Sequence, residues 1–300
     1  MHDACQIATS FTARTMSQLR LVILVSLAML AFAGNSLLCR IALKHTSIDA
    51  ASFTTMRMLS GACMLWLVVR LKSGTGSTAR AGERSGGNWL SACALFVYAA
   101  GFSFAYVSMS AATGALLLFG SVQATMIGYG VFKGERMHKL QLVGFALALA
   151  GLVALMLPGL AAPTLLSSLS MLSAGVAWGI YSLRGKGVGD PTQVTAGNFM
   201  HAVPMALVLS LLMFKHQSLD GSGLGLAVLS GALASGLGYA IWYRALPAIK
   251  ATHAATVQLS VPVIAALGGV VFIGEAVTVP MLLASSAILG GIALVILEKK

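Results

Sequence analysis

Eight carboxylates are spread along the 300-residue chain, at Asp3, Asp49, Glu83, Glu135, Asp190, Asp220, Glu275 and Glu298, and none falls in the middle of a long apolar run. Pumps driven by protons or sodium usually keep an acid at depth, where an ionisable group is costly and functional. The pattern here points to a facilitator or exchanger, with sodium held by backbone carbonyls as the alternative. The groups that do lie at depth are amides, hydroxyls, imidazole and aromatic rings. His201 has Asn198 three residues before it and Pro204 three after. That spacing puts Asn198 and His201 on one helix face, and Pro204 loosens the backbone beside them. His201 can carry a proton near neutral pH; the pair can equally be a link between helices. The stretch ATHAATVQLSVP (Ala251–Pro262) sets His253, Thr256 and Ser260 on one face, with Gln258 beside it and Pro262 freeing a carbonyl one turn back. Gln123 and Thr125 are the polar positions of an earlier run. Tyr98, Phe102 and Tyr106 recur every four residues, Trp178 and Tyr181 share a face, and Tyr239, Trp242 and Tyr243 cluster. Such surfaces pack an apolar ligand ring or each other, and Trp242 and Tyr243 read as an interfacial belt. Arg57 reads as a structural group that satisfies helix-end carbonyls or snorkels; a bidentate contact to a substrate carboxylate is the alternative.

The elements that must position these residues follow from composition. Hydrophobic residues make up 58% of the chain, charged residues 9%, and mean hydropathy is +0.89. A soluble domain carries roughly 25% charged residues, so the chain is an integral membrane protein. Runs of about 20 apolar residues span a bilayer as helices. Ten are expected, at 21–39, 50–71, 89–109, 111–132, 140–157, 164–183, 192–214, 223–243, 251–273 and 278–297. Residues 1–18 read as a disordered leader and Lys72–Asn88 as a flexible loop. Cys5, Cys39, Cys63 and Cys93 have no paired spacing, so neither disulfide, metal site nor cofactor is expected. No phosphate loop, zinc-protease motif or nucleophile elbow is present, which argues against an enzyme. The net charge of +11 suggests nucleic acid until the 19 Lys and Arg are sorted by loop. With the N-terminus cytoplasmic, 15 fall on that side, Arg40, Lys44 and Lys215 on the other, and Arg57 within a span. This is the positive-inside pattern; it places both termini in the cytoplasm and needs no nucleic-acid partner.

VFKGE (Val131–Glu135) returns as VFIGE (Val271–Glu275), 140 positions later. At that offset 14 residues of Ala92–Gly151 meet their own type. The chain therefore reads as an all-α membrane protein of two five-helix repeats, 19–157 and 164–300, joined by the connector 158–163 (PGLAAP). An odd number of spans inverts the second copy, as in alternating-access transporters with a midplane site between the halves. At each repeat end, Gly134 and Gly274 let a helix stop. Glu135 and Glu275 are expected to cap the helix that follows.

FAGNSLLCRIAL (Phe32–Leu43), Arg57 seven residues into the second run, and LSVPVIAALGGVVFIGE (Leu259–Glu275) followed by Gly290–Gly291 resemble the EamA-type, ten-helix branch of the drug/metabolite transporter superfamily, over about residues 20–300. Phe32 stands where a Trp is usual; Trp178–Gly179 keeps the pair in the second half. Within that branch the chain looks similar to YddG-like bacterial amino-acid exporters. The resemblance implies a basket of helices around a central cavity in the bacterial inner membrane, exporting aromatic or neutral amino acids, with another metabolite or a drug-like compound as alternative cargo. The expected partners are the lipid bilayer and a small-molecule substrate, in a monomer or homodimer. Substrate contacts are expected from Tyr98, Gln123, Trp178, Tyr181, Asn198, His201, Tyr239, His253, Gln258 and Ser260. Arg57, Gly134, Glu135, Pro262, Gly274 and Glu275 are expected to be structural.

Overall fold

Lipid offers no hydrogen bond to the backbone, so long apolar runs must bond within themselves. The computed structural model describes residues 17–73, 86–134, 136–156, 163–185, 190–249, 254 and 257–297; these are helices and their short connections, with no strand among them. The helices are α1 (Gln18–His45), α2 (Ala50–Ser73), α3 (Trp89–Tyr106), α4 (Ala111–Phe132), α5 (Lys139–Met156), α6 (Leu165–Arg184), α7 (Pro191–Leu212), α8 (Gly221–Ala248), α9 (Ser260–Ile273) and α10 (Val279–Leu297). Among the described residues nine are long and apolar enough to cross a membrane, and α9 is a shorter apolar helix. They match the ten expected runs in order. Most of the leader, residues 74–85 of the Lys72–Asn88 loop, Glu135, most of the connector and His253 lie outside the described residues.

Two helices depart from regular geometry. The middle of α8, Ser230–Leu237, is a π-helix between α-helical ends. The second half of α9, Gly269–Ile273, is π-helical too. The expected single ninth helix is interrupted at Leu259, just before α9. Pro262 explains it, because its ring nitrogen has no proton for the carbonyl of Gln258 four residues back.

Side chains close the helix ends. Asn88, Ser110, Thr164 and Asp190 each accept a hydrogen bond from a backbone N–H in the first turn of α3, α4, α6 and α7. Two acids do more. Asp49 Oδ1 accepts from Ala51 and Ser52 N–H at 2.9 and 3.0 Å while Oδ2 accepts from Ser218 N–H at 3.0 Å. Asp220 returns the arrangement, accepting from Ser47 N–H at 3.1 Å and from Gly223 N–H at 3.0 Å. The α1–α2 and α7–α8 connections are thus tied by reciprocal carboxylates.

The helices pack as α5 with α10, α3 with α6, and α2 with α7 and the π-helical part of α8. α4 lies against α6 and α9, and α1 against α8 and α9. The α5–α10 crossing depends on small residues: a Cβ on Gly144 would strike the carbonyl of Gly291, and one on Gly291 the carbonyl of Gly144. Gly134 (φ 93°) and Gly274 (φ 68°) follow α4 and α9 in left-handed conformation, which lets each helix stop.

Glu275 is a cap, but of a different helix from the one expected. Its Oε2 accepts from Ala111 N–H, at the start of α4, at 2.7 Å, and its Oε1 pairs with Arg40 Nε at 2.9 Å. Arg40 also donates from Nη1 to the carbonyls of Tyr106 and Val107 at 3.0 and 3.1 Å. Tertiary packing decides here: α4 begins beside Gly269 and Glu275, and the unbonded N–H groups of its first turn attract the acid.

Partial burial acts to raise the Asp49 pKa, but hydrogen bonds from Ser52, Ser218 and Ala51 outweigh it and hold the carboxyl below its usual range. Hydrogen bonds led by Gly223 N–H lower Asp220 as well. A carboxyl lowered in the folded state stabilises above its unfolded value of about 3.9 and loses that contribution as pH falls through the folded value. Thermal melts of detergent-purified protein should therefore fall below about pH 4, and Asp49→Asn should flatten that decline. Asp49→Ala should cost about 1 kcal/mol at neutral pH, the worth of a helix cap. Gly144→Leu should lower the melting temperature more than Gly290→Leu, which has open space for its Cβ; equal shifts would show that the α5–α10 crossing tolerates side chains.

Candidate functional site

A cavity of about 690 Å³ lies between the helices. The exposed or half-exposed Gly185, Pro191, Leu246, Pro247 and Ile249, at helix ends, mark its mouth, and the buried Asn35, Ser36 and Phe102 its depth. One turn beyond Ser36 along α1, Arg40 and Glu275 cross the opposite end.

Trp178 on α6 is the hub of the wall. Its ring centroid stands 4.7 Å from Tyr98, 5.2 Å from Tyr239 and 5.3 Å from Tyr181. Phe32 meets Tyr239 at 5.7 Å and Trp242 at 6.0 Å, which carries the aromatic wall onto α1 and α8. Polar groups are few. Gln123 from α4 and Gln258 from the segment before α9 supply amides, and Asn35 supplies a third. Among the described residues no charged side chain lines the cavity. The volume suits a small organic ligand, and apolar walls with a few dipoles are the usual make-up of such sites.

Behind that wall Arg57 is completely buried. Its Nη2 donates to Tyr98 Oη at 2.9 Å and its Nε to Ser235 Oγ at 3.4 Å, while Nη1 has no hydrogen-bond partner. The guanidinium carbon lies 4.8 Å from the Phe102 ring centroid and 5.2 Å from that of Tyr98. Asn35 Nδ2 also donates to Tyr98 Oη, at 3.4 Å, and Asn35 Oδ1 accepts from Ser230 Oγ at 2.6 Å.

Five of the expected contacts, Tyr98, Gln123, Trp178, Tyr239 and Gln258, converge on the cavity. Tyr181 and Asn198 meet each other at 3.3 Å and line a recess of about 20 Å³ beside its mouth. Asn198 Oδ1 is taken by Asn88 N–H at 2.9 Å, so it closes a helix contact. His201 does not line the cavity: its Nδ1 donates to the Gly197 carbonyl at 2.7 Å and its ring packs against Trp89 at 4.7 Å. A shared face with Asn198 holds, but that face meets α3 instead of the cavity. Ser260 is used at its own helix start, donating to the Val257 carbonyl at 2.7 Å. Phe32, Asn35, Phe119 and Met126 line the cavity without having been expected as substrate contacts, and Trp242 and Tyr243, read from the sequence as an interfacial belt, line it too. The three-residue spacing of Phe32 and Asn35 was a readable sign of one shared face.

Comparison with known proteins agrees with this architecture. The EamA-like transporter family model matches residues 165–297. A Pseudomonas aeruginosa protein, PA1977, is 54% identical over 277 residues, spanning 92% of this chain and 94% of its own. The threonine/homoserine exporter RhtA of Escherichia coli is 33% identical over 124 residues, 39% of this chain and 41% of its own. The chain belongs to the EamA-like transporter family. It is a multi-pass membrane transporter of small metabolites, not an enzyme. An Archaeoglobus fulgidus transporter is 26% identical over 82% of this chain and 86% of its own. A solved crystal structure with 18% identity superposes over 93% of this chain and 98% of its own, with a TM-score of 0.63, and so shares this fold.

Removing the hub ring should weaken substrate binding without unfolding the wall. Trp178→Ala is expected to raise the transport KM about tenfold or more, the worth of a well-packed aromatic contact. His201→Ala should change KM by less than about twofold; the opposite order, read from concentration dependence of flux, would move the site to α7.

Proposed function

We propose that the protein exports amino acids, aromatic or neutral ones preferred, across a bacterial inner membrane by alternating access. The observation that carries this reading is the cavity walled by Tyr98, Trp178, Tyr239 and Trp242, with amides at Gln123 and Gln258 and its mouth at one end of the helices. The walls fit an apolar side chain, and the amides fit an amino and a carboxyl group. The exporter activity in the name of RhtA supports the same class of cargo. A multidrug cation exporter would want a carboxylate in the wall, and none lines it among the described residues.

The alternating motion follows from two inverted five-helix halves with both termini cytoplasmic. The packing supports the halves: exchanging each helix with the one five places on converts α3–α6 into α8–α1, α4–α6 into α9–α1, and α2–α7 and α5–α10 into themselves, and all these pairs touch. Arg184 and Arg244 lie at the mouth end and Arg40 at the other, which fits a mouth facing the cytoplasm. In this state the Arg40–Glu275 pair holds the outer end shut, and export requires it to part.

Counterflow tests the reading. Proteoliposomes loaded with unlabelled phenylalanine or threonine, given labelled substrate outside and no ion gradient, should accumulate label saturably. Arg40→Gln should speed outward opening and raise exchange severalfold at saturating substrate. Conduction without saturation would replace the carrier with a channel, and accumulation of other metabolites alone would discard amino acids as cargo.

A further inference from the structure

Among the described residues two cations are buried, Arg40 and Arg57. Arg40 has its carboxylate in Glu275. Arg57 has none: its partners are the neutral hydroxyls of Tyr98 and Ser235 and the faces of two rings, and one amino group of its fork is left open. Guanidinium stays charged in proteins, and a buried charge without a counter-ion is strongly disfavoured. Ring faces offset part of that cost, but they leave the open N–H unbonded. Tyr98 and Phe102, which cover the guanidinium, are both cavity wall, so a single layer of side chains separates the cation from the substrate space.

We propose that Arg57 is the carboxylate receptor of the transport site, and that the substrate class is set by a carboxylate rather than by an amino group. The proposal rests on the cavity being the transport site. A bound carboxylate takes the open Nη1 and displaces the Tyr98 hydroxyl from Nη2, making the bidentate pair that a guanidinium fork suits. When the substrate leaves, the Tyr98 hydroxyl returns to Nη2, so the site is never left fully unbonded. Nothing of matching strength awaits an ammonium group. Among the described residues the wall offers it neutral groups alone: the amides of Gln123 and Gln258, the hydroxyls of Ser36, Ser182 and the tyrosines, and the aromatic faces. Small aromatic carboxylates lacking an amino group should therefore enter the same site.

The test is competition against labelled phenylalanine counterflow in proteoliposomes of the wild-type protein. 3-Phenylpropanoate should compete within a few-fold of phenylalanine, while phenylalaninamide and phenethylamine should be weaker by about 10- to 100-fold, the worth of a hydrogen bond to a charged group. Arg57→Gln should erase the preference for acid over amide, and Arg57→Lys should keep part of it. If Arg57→Gln does not fold, the wild-type series decides. Equal competition by acid, amide and amine would overturn the carboxylate receptor and leave the amino-acid exporter standing. Exchange of phenylpropanoate without any exchange of phenylalanine would overturn the amino-acid cargo and leave the receptor standing. Exchange of neither would overturn both.

Discussion

A polar group that enters the bilayer must find its partner inside the protein, because lipid supplies none. That constraint governs this molecule from its ends to its centre. At one end Asp49 and Asp220 each bond the backbone of the other's connection, so two loops share their caps. Deeper, the Arg40 guanidinium spans the carbonyls of Tyr106 and Val107 and the Glu275 carboxylate, whose other oxygen closes the start of α4. Two helix ends, the last turn of α3 and the first of α4, are satisfied by one ion pair. At the centre the rule is only partly obeyed, and that is where the cavity lies.

Departures from regular helix cluster around the same space. The π-helical part of α8 carries Ser230 and Ser235, which bond Asn35 and Arg57. The break before α9 leaves Gln258 at the cavity with no proline N–H for its carbonyl. Wide turns and broken helices expose backbone, and membrane proteins tolerate them where protein or a water-filled cavity surrounds them. In an EamA-family carrier such segments are natural places for helices to shift.

Helix number and order were legible in the sequence because hydrophobicity is a local signal: a run of apolar residues needs no partner to be read. The aromatic members of the site were legible for a similar reason, since Tyr98, Trp178 and Tyr239 are too large and too many to be incidental. What failed was pairing. Glu275 reads as a cap from its place after Gly274, yet which helix it caps depends on α4 lying beside it, 164 residues earlier in the chain. His201 and Asn198 do share a face, but periodicity does not say what the face meets. Trp242 near a helix end resembles an interfacial residue until α8 is seen leaning over the cavity. The π-helix has no signature in residue type at all.

On the proposed reading the two buried cations would divide the work of a transport cycle between them. Arg40 is matched by a full charge, and deleting one partner of such a buried pair costs about 3–5 kcal/mol; on the proposed reading it would be a stable closure. Arg57 is matched by neutral groups, so a carboxylate that reaches it gains what Arg40 already has. A ligand shifts a conformational equilibrium only by its differential affinity for the two states. Moving an equilibrium from 1:99 to 99:1 takes about 5.5 kcal/mol of such difference, of the same order as that deletion cost. A substrate carboxylate satisfied fully by Arg57 only once the Arg40 end has loosened would supply a difference of that order. The unbalanced charge at the centre and the balanced one at the end would then be two halves of one exchange.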